Sequence, residues 1–345
     1  MRKMRKMSSM KRIDWIDSLK GFGILCVTFG HLGCNFLLET HIYSFHMFLF
    51  FFLSGFLHNN YYGDFKQYIS KKTKALFVPF LLWNILSCLI GLVMFYSLSE
   101  TIRLFFLLDG EICWNAPIWF LLLLFMVEIV FFFIEKHIPY GKFLSMPILF
   151  ILWMFVSGRN VFLKLNILPV CLLFYIFGTI FKQFYDKRNG RIINNKTHVI
   201  LITCLLLCIN ILFGLILNNR ISFTGANFGN VLYCSLAAIS GVLFYVTVFQ
   251  NVSFLRTNKI LSYLGKNSLI IFATQYWFFM LYDIVSERLI NGSIWHYRNT
   301  AKALIVTVIT ILLICAIAEV LKKIGNKSAG FSKLCGWFGL NISKH

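Results

Sequence analysis

Residues 14–57 read DWIDSLKGFGILCVTFGHLGCNFLLETHIYSFHMFLFFFLSGFL, and this stretch decides the fold class. It contains two long apolar runs with only a short polar break between them. The first run is long enough to cross a lipid bilayer as an α-helix, and the second is somewhat short for a full crossing. We therefore predict a tight pair of membrane helices over residues 19–38 and 42–57.

The rest of the chain continues this pattern. Of the 345 residues, 59% are hydrophobic and 13% are charged, and the mean hydropathy is +0.75. A soluble protein of this length needs more polar surface than this composition supplies, and long continuous apolar runs favour helices over strands. The sequence therefore predicts an all-α, polytopic membrane protein with about ten transmembrane helices, the other eight over residues 76–96, 117–134, 144–157, 166–181, 198–217, 228–250, 268–285 and 301–320.

The distribution of basic residues predicts the orientation of these helices. The net charge is +20, and 26 of the 33 Lys and Arg residues fall on one side of the predicted membrane. Because basic segments stay in the cytoplasm, both termini are predicted to be cytoplasmic, in a multi-pass protein of the inner (cytoplasmic) cell membrane. The predicted domains are a cytoplasmic basic tail (1–18), a ten-helix transmembrane domain (19–320) and a second cytoplasmic basic tail (321–345).

Composition also bears on cofactors and partners. The ten cysteines are scattered, mostly inside apolar runs, and none forms a CxxC pair, so no metal site is predicted. The charge follows the membrane topology and no nucleic-acid-binding motif is present, so membrane lipids and not nucleic acid are the expected partners. No bound cofactor is predicted, and the pattern carries no information on the oligomeric state.

Three ionisable residues lie within the opening helices, where such side chains are costly and are functional candidates. Lys20 and His31 are eleven residues apart, which places them on one helix face about 16 Å apart along the axis. Lys20 is predicted at the cytoplasmic rim and His31 near the middle of the membrane, an arrangement that suits a long anionic donor with its reactive end at the histidine. The alternative for Lys20 is that it is one more basic residue on the cytoplasmic side, as the positive-inside rule expects. The alternative for His31 is a packing residue held by a hydrogen bond. His46 is predicted at the start of helix 2, near the outer interface, where it could equally face water.

Several segments resemble one known family. Residues 17–31 (DSLKGFGILCVTFGH) and 45–57 (FHMFLFFFLSGFL) are similar to the two opening signatures of acyltransferase family 3, the polytopic membrane O-acyltransferases. Further similarities follow in chain order at residues 71–80, 117–121, 174–178 and 265–272, so the resemblance extends over helices 1 to 9. The variant looks closest to the sugar acetyltransferases of the fucose 4-O-acetylase type.

The resemblance implies transfer of an acyl group from acyl-CoA, expected to be acetyl-CoA, to a sugar hydroxyl. The acceptor would be a cell-surface polysaccharide or its lipid-linked glycan precursor. His31 corresponds to the catalytic histidine, and His46 is the second candidate. Lys20 stands where the family more often has arginine, which keeps the positive charge but loses the bidentate fork. Phe48 replaces a proline, and Gln275 stands where many relatives have a histidine in helix 9.

Further basic and capping residues are candidates for binding the donor. Lys71, Lys72 and Lys74 form a predicted cytoplasmic cluster that could meet the CoA phosphates, with anionic lipid headgroups as an equally good alternative. Asn267 and Ser268 resemble the cap of the cytoplasmic start of helix 9, where free backbone N–H groups attract anions. Structural capping alone is the alternative for these two residues.

Candidates for binding the sugar lie in the predicted outer loops and within the helices. The outer loop after helix 3 carries Glu100, Asp109 and Glu111. The candidate sugar-binding residues are Trp114, Asn115, Trp119, Glu128, Arg159 and Gln275. For the tryptophans, anchoring at the membrane interface is the alternative, and Glu128 could instead orient a histidine or pair with a lysine.

The leading hypothesis is therefore an integral membrane O-acyltransferase, expected to be an O-acetyltransferase. A transporter or flippase for lipid-linked glycans would share the topology, but it is expected to show internal repeats or broken helices, which are not evident. A polysaccharide polymerase is the second alternative and would favour larger outer loops. The sequence contains no G-x-S-x-G nucleophile elbow, which disfavours a serine acyl-enzyme.

Overall fold

The computed structural model describes residues 13–58, 64–111, 113–190, 195–290 and 299–340, except for the side chains of residues 289 and 290. Within these ranges the chain is helical, and its extended pairing is limited to one isolated β-bridge between Ser222 and Asn227. This confirms the all-α prediction. Residues 1–12 and 341–345 of the two predicted tails lie outside the described residues.

Fifteen α-helices follow one another along the described parts of the chain. Two π-helical segments extend helices, at Thr73–Phe77 between α3 and α4 and at Leu212–Ile216 after α9. The α-helices are α1 (Asp14–Gly30), α2 (Phe36–Phe56), α3 (Phe65–Lys72), α4 (Val78–Met94), α5 (Leu98–Phe105), α6 (Trp119–His137), α7 (Gly141–Val156), α8 (Leu168–Lys187), α9 (Lys196–Ile211), α10 (Val231–Asn251), α11 (Ser253–Arg256), α12 (Lys259–Lys266), α13 (Ser268–Ile290), α14 (Thr300–Lys327) and α15 (Ala329–Trp337).

Eight helical segments among the described residues are long and apolar enough to cross a membrane. A helix also stands at each of the two other predicted spans, but α1 has 17 residues and α7 has 16. The polytopic membrane fold is thus confirmed, while the count of ten crossings and the cytoplasmic termini stay predictions. Exposed leucine and isoleucine side chains cover α9 and α14, as expected of helices that face lipid.

The helix bundle has two ends, the N face and the far face. The N face is the end at which α1 begins, and it is held together by bonds such as Trp15 Nε1 to the Tyr185 hydroxyl, 3.2 Å. The far face is the opposite end, where the connections after α1, α4, α7 and α9 meet. There the backbone N–H of Leu163 donates to Leu107 and that of Gly158 donates to Ala226, at 3.0 and 2.9 Å. The predicted topology would make the N face cytoplasmic.

The predicted bounds of the first two helices were wrong by up to eight residues. The helical chain breaks at residues 31–35, not at residues 39–41. Gly33 takes a positive φ of 69°, and the side chain of Asn35 accepts a hydrogen bond from the N–H of Leu37, which caps the start of α2. Glu39 then falls in the first turn of α2, where its charge is favourable next to the helix N-terminus.

Glycines allow two pairs of helices to approach until their backbones touch. A Cβ atom at Gly55 in α2 would lie 1.9 Å from the carbonyl oxygen of Tyr175 in α8, and one at Gly178 would lie 2.0 Å from that of Phe52. α1 and α12 cross in the same way, with Gly21 against the carbonyl of Leu261 and a reciprocal contact at Gly265. These contacts fix α1 and α2 in the centre of the bundle.

Candidate active site

A cavity of about 390 Å³ runs from the far face into the bundle. It reaches the middle of α2, and its walls combine polar side chains with aromatic rings. Its lining residues are Gly30, His31, Gly33, Glu39, Tyr43, His46, Met47, Ala116, Pro117, Trp119, Arg220, Ser222, Phe223, Thr224, Phe272 and Tyr276. Among the residues that the sequence singled out, this cavity brings together His31, His46 and Trp119.

His31 is the C-cap residue of α1, at the far end of that helix. This corrects the prediction that it lies near the middle of a longer helix. Its Nδ1 atom has two phenol hydroxyls at hydrogen-bond distance, Tyr276 at 3.1 Å and Tyr43 at 3.2 Å. A hydroxyl both donates and accepts, so this pair can hold a proton on Nδ1 and leave the lone pair on Nε2. Among the described residues, Nε2 of His31 has no hydrogen-bond partner.

His46 lies in the middle of α2 and is 2% exposed. The prediction that it opens helix 2 near the interface was therefore wrong, because α2 begins at Phe36. Its Nδ1 atom is 2.7 Å from the carbonyl oxygen of Ile42. A carbonyl can only accept, so Nδ1 of His46 carries a proton, and when the ring is neutral its Nε2 is unprotonated. The cavity thus contains one imidazole with a fixed tautomer beside His31.

Arg220 brings a positive charge to the cavity from the connection that follows α9. Its Nη2 atom is 2.7 Å from Oε1 of Glu39, and its guanidinium lies 4.2 Å from the ring centroid of Tyr43. Glu39 is 3% exposed, so this ion pair is largely sheltered on the carboxylate side. Arg220 therefore holds Tyr43, and Tyr43 in turn contacts His31.

Sequence reasoning missed Tyr43, Tyr276 and Arg220. A weak signal was available for Tyr43, which is three residues before His46 and so shares its helix face. Tyr276 follows the recognised position Gln275, and Arg220 is one of only seven basic residues on the sparse side of the predicted membrane. These three residues come together around His31 through the packing of separate helices and loops, which sequence periodicity does not predict.

Trp119 is the one predicted sugar-binding residue that lines this cavity. It is 3% exposed, and its ring stacks on Phe223 with 5.6 Å between centroids and 13° between planes. An aromatic face next to polar side chains is a suitable wall for a sugar ring.

Four other predicted sugar-binding residues are not in the lining. Trp114 donates from Nε1 to the Ser87 carbonyl at 2.7 Å, and Asn115 donates to the Ser87 hydroxyl at 3.1 Å. Gln275 is fully buried, and its Nε2 atom is 3.5 Å from the carbonyl of Phe272. Arg159 is exposed on the far face. Trp114, Asn115 and Gln275 thus make their hydrogen bonds within the helix bundle, outside the cavity lining.

Glu128 lies toward the N face, in a separate buried cluster, and is also absent from the cavity lining. Its carboxylate pairs with Lys72 Nζ and accepts hydrogen bonds from the hydroxyls of Tyr68 at 2.6 Å and Tyr175 at 2.7 Å. The imidazole of His58 lies 3.6 Å from the same carboxylate. Of the alternatives weighed for Glu128, the structure thus shows both lysine pairing and contact with a histidine.

The predicted donor-binding residues do not form one continuous cluster. Lys71 and Lys74 are exposed, whereas Lys72 is held by Glu128. Lys20 is half-buried on α1, about 16 Å along the helix axis from His31, and it is not in the cavity lining.

Asn267 and Ser268 stand at the junction of α12 and α13. Asn267 is the C-cap residue of α12, and Ser268 is the first residue of α13. The Asn267 side chain donates to the carbonyl of Tyr263 and accepts from Lys322 Nζ, both at 2.9 Å. Its amide therefore links α12 and α14 at the N face.

The His58 cluster predicts a dependence of stability on pH. Burial opposes protonation of His58, but its contacts with Glu128 and Glu135 outweigh burial and raise its pKa above the usual 6.5. A raised folded-state pKa gives stability that is complete below about pH 6.5 and is lost as the pH rises through the folded-state pKa. We expect the unfolding temperature of the purified protein to fall over that range, and to fall less in His58→Gln. Equal slopes in the two proteins would contradict this role for His58.

The chain matches a known protein family. The family model for an acyltransferase domain matches residues 13–319, which is most of the chain and includes every residue of the cavity lining. No curated protein and no solved structure matches.

Proposed function

Since this chain belongs to acyltransferase family 3 and is a membrane acyltransferase, we propose that it transfers an acetyl group from acetyl-CoA to a sugar hydroxyl. The proposed acceptor is a cell-surface polysaccharide or its lipid-linked glycan precursor. The observation that carries the proposal is that two imidazoles, His31 and His46, line one polar cavity inside a membrane protein. The cell's inner membrane, with both termini in the cytoplasm, is the proposed location.

In the proposed reaction His31 is the general base. Its Nδ1–H donates to the hydroxyl oxygen of Tyr43 or Tyr276, and Nε2 takes the proton from the acceptor hydroxyl. The hydroxyl oxygen attacks the thioester carbonyl carbon, the C–S bond breaks, and the leaving CoA thiolate takes the proton from Nε2 of His31, which restores the neutral imidazole. The products are an O-acetyl sugar and free CoA. In many enzymes a further group likewise orients the general base and holds it in the required tautomer.

His46 has a different proposed part in the same cavity. Its Nδ1–H donates to the carbonyl oxygen of Ile42, so Nε2 of the neutral ring accepts a hydrogen bond and does not donate one. A sugar hydroxyl next to the acylated one is a suitable donor to this nitrogen. Trp119 supplies the apolar wall against which the ring stacks. His46 is thus proposed to orient the acceptor.

The donor is proposed to enter from the N face. Lys20, Lys71 and Lys74 lie toward that end, and Lys71 and Lys74 are exposed. Lys72 is less suitable because Glu128 neutralises it. Phosphates held near Lys20 would lie about 16 Å from His31 along α1, so an extended donor arm would approach the cavity from the end opposite its opening at the far face.

Thermal unfolding tests the proposed donor directly. Acetyl-CoA that binds only the folded state at about 100 times its Kd stabilises the protein by about 2.7 kcal/mol. We therefore expect a clear rise in the unfolding temperature of the detergent-purified protein, and none with sodium acetate. The rise should shrink in Lys20→Gln but not in Lys333→Gln, which removes an exposed cation on α15. An unfolding temperature that acetyl-CoA does not change would contradict the proposal.

A further inference from the structure

A second cavity of about 490 Å³ adjoins the candidate active site on the far face. Ala116 and Thr224 line both cavities, so the two spaces meet at these residues. We call the second cavity the vestibule, and the residues used below to define its polar lining are Tyr96, Glu100, Arg103, Glu111, Asn160 and Lys164.

Hydrogen bonds between the surrounding loops hold the walls of the vestibule in place. Lys164 is 3% exposed, and its Nζ atom donates to the carbonyl of Thr224 at 2.6 Å. It thereby ties the connection before α8 to the connection before α10, at the residue where the cavities meet. An ammonium group is rarely buried to this degree without a specific reason.

The three loops around the vestibule also hold strained backbone conformations. Leu107, Leu163, Lys164 and Ala226 all have φ between 50° and 56°, a region that residues other than glycine rarely adopt. The loops are joined to one another through Leu163–Leu107 and Gly158–Ala226 backbone hydrogen bonds. Such strain persists where the surrounding structure enforces it and is concentrated at binding sites.

The chemistry of the lining suits a ligand rich in hydroxyls. The guanidinium of Arg103 is already paired with Asp109 at 3.3 Å and with Glu111 at 3.1 Å, so its charge is compensated within the protein. Carboxylate and amide oxygens accept hydrogen bonds, and the Asn160 amide and Tyr96 hydroxyl also donate. Sugar hydroxyls need both kinds of partner.

We propose that the vestibule binds the saccharide units next to the one that is acylated, so that the acceptor is a glycan chain and not a free monosaccharide. This inference rests on the proposed function. His31 and His46 would then act on one hydroxyl while the vestibule holds the neighbouring units.

Blocking the vestibule without touching the imidazoles tests this inference. Asn160 is exposed and lies in the lining, so Asn160→Trp fills part of the space with an indole ring. Ser99→Trp adds the same ring on α5, outside both linings, and serves as the matched control. The probes are radiolabelled acetyl-CoA with the polysaccharide fraction of the source cells, and the trisaccharides and monosaccharides made from that fraction by partial acid hydrolysis.

We expect the wild-type protein to have kcat/KM at least about tenfold higher for the trisaccharides than for the monosaccharides, the effect of one or two added hydrogen bonds. Asn160→Trp should lose the higher kcat/KM for trisaccharides but keep the wild-type kcat/KM for monosaccharides. It should also unfold at the wild-type temperature. Ser99→Trp should match the wild type in all three measurements. Equal use of monosaccharides and trisaccharides by the wild type, or equal loss on both in Asn160→Trp, would overturn the vestibule proposal alone. Absence of transfer to every acceptor would overturn the proposed function and this inference with it.

Discussion

Replacement of His31 with alanine is expected to lower the rate of acyl transfer about 10²- to 10⁴-fold, the usual contribution of a general base. The side chain is held at Nδ1 by two tyrosine hydroxyls, and its Nε2 atom has no partner among the described residues. Its loss removes the proposed proton acceptor but no large buried apolar group, so the variant should remain folded. Initial rates of label transfer from acetyl-CoA to the polysaccharide fraction measure the effect.

His41 provides the matched control for this experiment. It lies in α2, and its Nε2 atom is 2.8 Å from the Tyr245 hydroxyl, outside the cavity lining. His41→Ala also deletes one partly buried imidazole, but it should keep the wild-type rate. A folded His31→Ala protein with the wild-type rate would remove His31 from the mechanism.

The second large effect is expected on folding. In Gly55→Ala the new methyl group would lie 1.9 Å from the Tyr175 carbonyl oxygen unless α2 and α8 moved apart. Separation of these helices disrupts the packing around both His46 and Glu128. Overpacking of a core commonly costs about 1–3 kcal/mol, and a contact with rigid backbone should lie at or above the upper end of that range.

The yield of monodisperse protein and the unfolding temperature in one detergent measure this effect. Gly336→Ala is the matched control, because a Cβ atom at Gly336 in α15 has no neighbour within 4 Å. We expect a loss of yield or a large fall in unfolding temperature for Gly55→Ala and none for Gly336→Ala. Wild-type stability in Gly55→Ala would show that the helices are not as close as described.

The fold was largely predictable because membrane helices are encoded locally. A continuous apolar run specifies a helix without reference to the rest of the chain, so each predicted span coincides with an observed helix. The first connection is misplaced in the prediction because residues 39–41 are the most polar point between the two apolar runs. A glycine with positive φ at Gly33 and the Asn35 cap ended one helix and started the next. That shift moved His31 to a helix end and His46 to a helix centre.

The candidate site was predictable only in part. His31, His46 and Trp119 were found because ionisable or aromatic residues in these runs are unusual on their own. Tyr276 and Arg220 were not, since each comes to His31 or Tyr43 from a distant element. The sequence also could not show that Glu128 would hold Lys72, a pairing that depends on the packing of α6 against the helix that begins at Phe65. Local sequence patterns therefore predicted individual functional residues more readily than the contacts that bring those residues together.

The central claim is that this membrane acyltransferase esterifies a sugar hydroxyl at the cavity that contains His31 and His46. The most direct measurement uses purified wild-type protein in lipid nanodiscs, radiolabelled acetyl-CoA and the polysaccharide fraction of the source cells. The prediction is that label becomes bound to the glycan and is released by mild alkali, as an O-acetyl ester is, with one free CoA formed for each group transferred. Folded wild-type protein that leaves the glycan unlabelled would contradict the claim.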